Sequence, residues 1–262
     1  MVIGGLDPTG GAGLLRDSWT AQRVAPTRPV VAVATALTDQ GRGRPARAWV
    51  PPLATVRAEL DRVGALAEGG AIAAVKIGMV PEAAAGAVLD LLTRLRALGS
   101  PTRPRVVLDP VARASDGGSL GASPTSALAL ILASDLCTPN RDERGLFAGH
   151  EASVRAAGVA WLDKAVEGAG AGRVCDRLVL PDGRARSYLR PRVEGPDPRG
   201  TGCALATALA CGLAEGWSLE RATKAAIAWL DEARRHLHRG PDGRPHLAGP
   251  PGSRSRSGAS AS

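Results

Sequence analysis

Aromatic side chains make up only 3% of this chain, with one Tyr, one Phe and five Trp. Lysine is nearly missing, since Lys76, Lys164 and Lys224 are the only three among 33 cationic residues. So few aromatics leave little on which nucleic-acid bases could stack. The net charge of +8 does not restore that case, because four Arg and one Asp between Arg239 and Ser262 supply +3 and the remaining +5 is spread without a block of like charge. Nucleic acid is therefore not an expected partner. Cysteine is scarce too: Cys137, Cys175, Cys203 and Cys211 form no C-x-x-C pair and accompany no His cluster, which argues against a disulfide scaffold and a zinc site. The thiols are expected to be reduced. No apolar run approaches the ~20 residues that span a bilayer, and a glycine motif begins by Gly4, so neither membrane attachment nor a signal peptide is expected. The expected location is the cytoplasm.

What is present is an ordinary apolar content of 44%, mostly Ala, Val and Leu, in a chain of 262 residues. A domain of this size buries roughly 70–75% of its unfolded surface. Short β-rich runs at 2–3, 29–36, 71–77, 105–108, 136–138, 159–162 and 177–180 alternate with helical stretches at 51–67, 81–98, 123–132 and 204–215. Strands that are apolar on both faces and separated by helices predict a mostly parallel sheet between helical layers. Asp182-Gly183, between two further apolar runs, predicts a hairpin and hence an antiparallel edge. The expected organisation is one α/β domain over residues 1–239, followed by a disordered Gly/Pro/Ser/Arg tail over 240–262.

Two glycine turns fall at strand ends, where open α/β sheets bind ligands. Gly200-Thr201-Gly202-Cys203 opens a helix, so its free N–H groups and the helix dipole favour an anion. A thiol there is expected to have a lowered pKa and to accept a proton from a substrate hydroxyl, although a small buried Cys at a helix start fits as well. The first turn, Asp7-Pro8-Thr9-Gly10-Gly11-Ala12-Gly13, matches neither the Walker loop nor the dinucleotide fingerprint, and also reads as a plain tight turn. Asp17 follows about a turn into the next helix, at the expected mouth of the site.

Asp109 ends one strand, and Asn140 with Glu143 follows another. Oxygen ligands at neighbouring strand ends suit Mg²⁺, which takes only one or two carboxylates plus substrate phosphates. Helix capping explains the same residues equally well. In a chain that otherwise uses Arg, Lys76 and Lys164 near strand ends suit compact phosphate-binding charges.

Taken in order, Gly4-Gly5-Leu6-Asp7-Pro8-Thr9-Gly10-Gly11-Ala12-Gly13 with Asp17, Thr35-Ala36-Leu37-Thr38-Asp39-Gln40, Lys76-Ile77-Gly78-Met79, Val107-Leu108-Asp109-Pro110-Val111, Thr138-Pro139-Asn140-Arg141-Asp142-Glu143 and Gly200-Thr201-Gly202-Cys203 resemble the hydroxymethylpyrimidine/phosphomethylpyrimidine kinases of thiamine biosynthesis. Six motifs in register over residues 2–235 are far more specific than any one. The resemblance implies a ribokinase-like α/β/α sandwich and transfer of the γ-phosphoryl of MgATP to the aminopyrimidine alcohol and then to its monophosphate. It also implies a homodimer. By matching position it assigns Asp17 and Gln40 to the pyrimidine, Gly5 and Met79 to its pocket, and Gly200, Thr201 and Gly202 to the anion hole. Cys203 takes the place of the base, Lys164 and Asn140 meet the nucleotide, and Asp109 and Glu143 govern Mg²⁺. Two departures stand out. Lys164-Ala165-Val166-Glu167 replaces the family's Lys-Gly-Gly-His, so that a side chain at 165 or 166 is expected to crowd ATP, and Arg199 precedes the anion hole where His or Asn is common. Pyridoxal phosphorylation, or pyrimidine binding without catalysis, are the alternative readings.

Overall fold

The computed structural model describes residues 1–39, 46–99, 101–111 and 121–248. Its chain alternates β1 (Val2–Leu6), α1 (Gly13–Val24), β2 (Ala32–Asp39), β3 (Arg47–Trp49), α2 (Leu53–Glu68), β4 (Ala74–Ile77), α3 (Glu82–Ala97), β5 (Arg105–Leu108), α4 (Pro124–Leu132) and β6 (Leu136–Cys137). There follow α5 (Arg141–Leu146), α6 (Glu151–Ala156), β7 (Ala160–Asp163), β8 (Arg173–Val179), β9 (Ala185–Pro191), α7 (Thr201–Ala214), α8 (Leu219–Arg234), β10 (Leu237–Arg239) and β11 (Pro245–Leu247).

Strands β1 to β9 form one sheet in the order β3-β2-β1-β4-β5-β6-β7-β8-β9. Pairings from β2 across to β7 are parallel, and the β8–β9 hairpin makes the expected antiparallel edge. At the other edge a further antiparallel strand, β3, pairs with Leu37, Thr38 and Asp39; its three residues are too few to show a period in the sequence. Side-chain alternation divides the core. Val75, Ile77, Val106 and Leu108 face the layer of α2, α3 and α4, whereas Ala74 and Val107 face α7 and α8. The result is a three-layer α/β/α sandwich of ribokinase-like type. Helix α8 lay outside the expected set, yet buries Ala222, Ala226, Ile227 and Leu230 at helical spacing after a Ser218 cap.

Residue 239 is not the end of the folded body, which corrects the expected disordered tail. β10 and β11 pair antiparallel, His246 and Leu247 are buried, and Arg16 donates to the Leu247 carbonyl at 2.9 Å. Gly, Pro and Arg dominate this segment, so its folding depends on partners distant in sequence. Residues 249–262 lie outside the described ones.

Candidate active site

The strand order changes direction at β1, which has β2 on one side and β4 on the other, all parallel. Crevices form at such switch points beyond the carboxyl ends of the strands. The loop after β1 is built by Asp7: its Oδ1 accepts from Thr9 N at 3.0 Å and Thr9 Oγ at 2.8 Å, and its Oδ2 from Ala12 N at 3.2 Å. Gly200, the N-cap of α7, has a left-handed backbone with φ 74°, and a Cβ on it would lie 2.1 Å from the Gly11 carbonyl oxygen. Only glycine lets the two turns approach this closely. They border one cavity of about 810 Å³.

Every candidate residue except Gln40, which lies outside the described residues, lines that cavity. At one end Gly5 packs against Met79, since a Cβ at Gly5 would meet the Met79 methyl at 2.8 Å. Strand alternation aims Lys76, between Val75 and Ile77, towards α1 and α7. There its ammonium donates to Asp17 Oδ2 at 2.8 Å, and Thr207 Oγ donates to Asp17 Oδ1 at 2.8 Å. Lys76 and Asp17 are 1% and 0% exposed, so this is a fully buried ion pair. Burial raises the Asp17 pKa; burial also opposes charge on Lys76, but the neighbouring Asp17, Cys203 and Asp109 outweigh it and hold the lysine charged. Asp17 thus belongs to the cavity floor and not its mouth, and Lys76 is a carboxylate's partner before it is a phosphate ligand. Thr207 had a readable signal, because it follows Cys203 by four residues and shares its helix face.

At the other end Asp109 Oδ1 accepts from Thr138 Oγ at 3.1 Å and from Lys164 Nζ at 3.3 Å. Gly202 abuts both, for its Cβ would lie 3.3 Å from Asp109 Oδ2 and 3.6 Å from Lys164 Nζ. Asn140 and Glu143 form a reciprocal capping box on α5: Asn140 Oδ1 accepts from Glu143 N, and Glu143 Oε2 from Asn140 N, both at 2.9 Å. Capping and site lining therefore coincide in the same pair.

Burial pushes the Cys203 thiol up to about 11, with the Lys76 ammonium pulling the other way. That runs against the expected low pKa: the Lys76 cation and a Gly13 backbone hydrogen bond do not offset desolvation and the nearby Asp17 and Asp109. The altered segment after Lys164 also behaves differently from expectation. Ala165 takes the left-handed conformation itself, φ 51°, with its N–H bound to Asp176 Oδ1 at 2.8 Å. Val166 N donates to the Cys175 carbonyl at 2.8 Å, and Glu167 pairs with Arg141. Neither Val166 nor Glu167 lines the cavity, whereas Ala165 does, so of the expected crowding only the Ala165 methyl remains.

A sequence model described as phosphomethylpyrimidine kinase matches residues 7–245, most of the chain and all six motifs in whole or part. The chain belongs to the phosphomethylpyrimidine kinase family. It is a kinase, and similar proteins agree. A hydroxymethylpyrimidine/phosphomethylpyrimidine kinase of Streptomyces coelicolor is 34% identical over 253 residues, covering 89% of this chain and 87% of that protein. The thiamine biosynthesis multifunctional protein ThiED of Corynebacterium glutamicum is 32% identical over 89% of this chain, which spans 31% of that longer protein. Among solved structures, phosphomethylpyrimidine kinase from Clostridium difficile superposes with a TM-score of 0.69 at 23% identity, over 89% of this kinase and 97% of that chain. Pyridoxal kinase from Staphylococcus aureus in complex with ADP gives 0.76 at 19% identity, over 94% and 92%. At these identities the two structures establish the fold alone.

Proposed function

We propose that this kinase transfers the γ-phosphoryl of ATP to 4-amino-5-hydroxymethyl-2-methylpyrimidine and then to the resulting monophosphate, within thiamine biosynthesis in the cytoplasm. The observation that carries the reading is the meeting of both glycine turns, the Lys76–Asp17 pair and the Asp109–Lys164 pair in one cavity.

The nucleotide fits the residues present. The Ala165 turn keeps a glycine-like backbone and leaves Val166 and Glu167 out of the cavity, while Lys164 Nζ remains beside Gly202. Lys164 and Asn140 would hold its phosphates, and Asp109 and Glu143 would hold Mg²⁺. MgATP supplies the phosphoryl group and the metal charge that neutralises its oxygens. Gly5 and Met79 wall the heterocycle, and Asp17, with lone pairs beyond those used by Lys76 and Thr207, accepts from it; Gln40 completes this set. The N–H groups at Thr201 to Cys203 stabilise charge on the equatorial oxygens, a donor in such a site being worth about 3–4 kcal/mol. With its thiol near 11, Cys203 is mostly protonated at neutral pH. Positioning and the amides therefore carry most of the acceleration, and Cys203 takes the hydroxyl proton only through its minor thiolate fraction. The homodimer has a candidate surface in Leu37, Trp49, Val50 and Leu53, all exposed beside the β3 edge.

The test is purified protein with MgATP and the aminopyrimidine alcohol, followed by phosphorus NMR. A monophosphate and then a diphosphate are expected. A folded sample that forms neither, or that phosphorylates only pyridoxal, overturns the reading.

A further inference from the structure

Beside the two glycine turns lies a second buried charge cluster, centred on Arg199, which also borders the cavity described above. Arg199 is 5% exposed; its Nη2 pairs with Asp7 Oδ2 at 3.1 Å and its Nη1 with Asp242 Oδ2 at 2.6 Å. Asp242, in the turn between β10 and β11, also meets His246 Nε2 at 2.9 Å and accepts from Arg244 N at 3.1 Å. The His246 ring abuts the first loop, where a Cβ at Gly11 would fall 2.7 Å from its Nε2. Arg199 N further donates to the Pro245 carbonyl at 3.0 Å, immediately before the left-handed Gly200.

Each partner thus belongs to a different segment. Asp7 shapes the loop after β1, Arg199 leads into the N-terminus of α7, and Asp242 and His246 come from the C-terminal hairpin. Guanidinium is suited to this task, because its planar fork can meet two carboxylates at once in fixed geometry, which a lysine ammonium does not. Both carboxylate side chains are buried, so each relies on the guanidinium to offset its lost hydration. We infer that Arg199 and Asp242 are positioning residues for phosphoryl transfer, clamping the substrate loop to the anion hole through the C-terminal hairpin.

The inference rests on the kinase reading, and its test separates the two. Arg199→Gln, Asp242→Asn and Arg199→Lys are made in the full chain and compared with the wild type in kcat, in KM for the pyrimidine and in alkylation of Cys203 and Cys211. Both cysteines lie on α7, but only Cys203 adjoins the clamp. A loosened geometry of about 1 Å costs on the order of 100-fold in rate. Arg199→Gln is therefore expected to lower kcat about 10- to 100-fold with a smaller change in KM, and to speed alkylation of Cys203 while leaving Cys211 unchanged. Asp242→Asn gives the same pattern more weakly, and Arg199→Lys restores only part. Should Arg199→Gln fail to fold, Asp242→Asn decides, as it preserves size and one acceptor oxygen while removing the charge. Unchanged kcat and Cys203 reactivity, or parallel gains at Cys203 and Cys211, overturn the clamp. An inactive wild type overturns the kinase reading instead, and the alkylation comparison still judges the clamp.

Discussion

Replacing Lys76 by Met removes the ammonium that faces Asp17 and keeps the hydrocarbon. Asp17 is 0% exposed, so its carboxylate is left with Thr207 as a hydrogen-bond donor and without its ion-pair partner. Breaking a buried pair from one side costs about 3–5 kcal/mol. For a domain of this size each kcal/mol lowers Tm by roughly 2–4 °C, which gives a fall of about 6–20 °C. The pH dependence is the sharper test. Burial already raises Asp17 above its ordinary 3.8, and losing Lys76 raises it further. A carboxyl with a raised folded pKa contributes its full stability below the unfolded value and loses it as pH climbs through the folded one. The variant's deficit is therefore smallest near pH 4–5 and largest near pH 8, changing by up to about 1.4 kcal/mol per pH unit between. Urea unfolding followed by circular dichroism at pH 5 and pH 8 measures it, and Asp17→Asn in the Lys76→Met background recovers most of the loss at pH 8. A deficit under about 1 kcal/mol, or one equal at both pH values, would refute the buried-pair argument.

For Cys203, the wild-type kcat is expected to rise with pH from 7 towards the thiol value of about 11, whereas Cys203→Ala is flatter and about 100-fold slower without being dead; identical pH–rate profiles count against a proton role. Gly202→Ala brings a methyl 3.3 Å from Asp109 Oδ2 and should cost about 100-fold in kcat with an unchanged circular dichroism melt, so full activity in this variant would remove Gly202 from the anion hole.

Much of the architecture was legible because its signals are local. Apolar runs such as Val106-Val107-Leu108 have the period of a doubly covered strand, and glycine turns at strand ends mark where a parallel sheet binds ligands. The ordered set of motifs added the family, and all the candidate residues within the described chain line one cavity. The edges were harder. Arg47–Trp49 became a strand only by pairing with β2, and the hairpin of β10 and β11 exists because distant Arg16 and Arg199 hold it.

Residue types and their spacing determined by themselves an α/β chain with two glycine turns, a cysteine-headed helix and carboxylates at strand ends, and the family resemblance of the ordered motifs supplied the kinase. Which charges meet was decided only in three dimensions. Lys76 is 59 positions from Asp17, and Arg199 is 43 from Asp242. Ionisation followed from the same source, for a thiol's pKa depends on how much water and which charges surround it, and burial at Cys203 raises the thiol where its place in the sequence implied a lowered one.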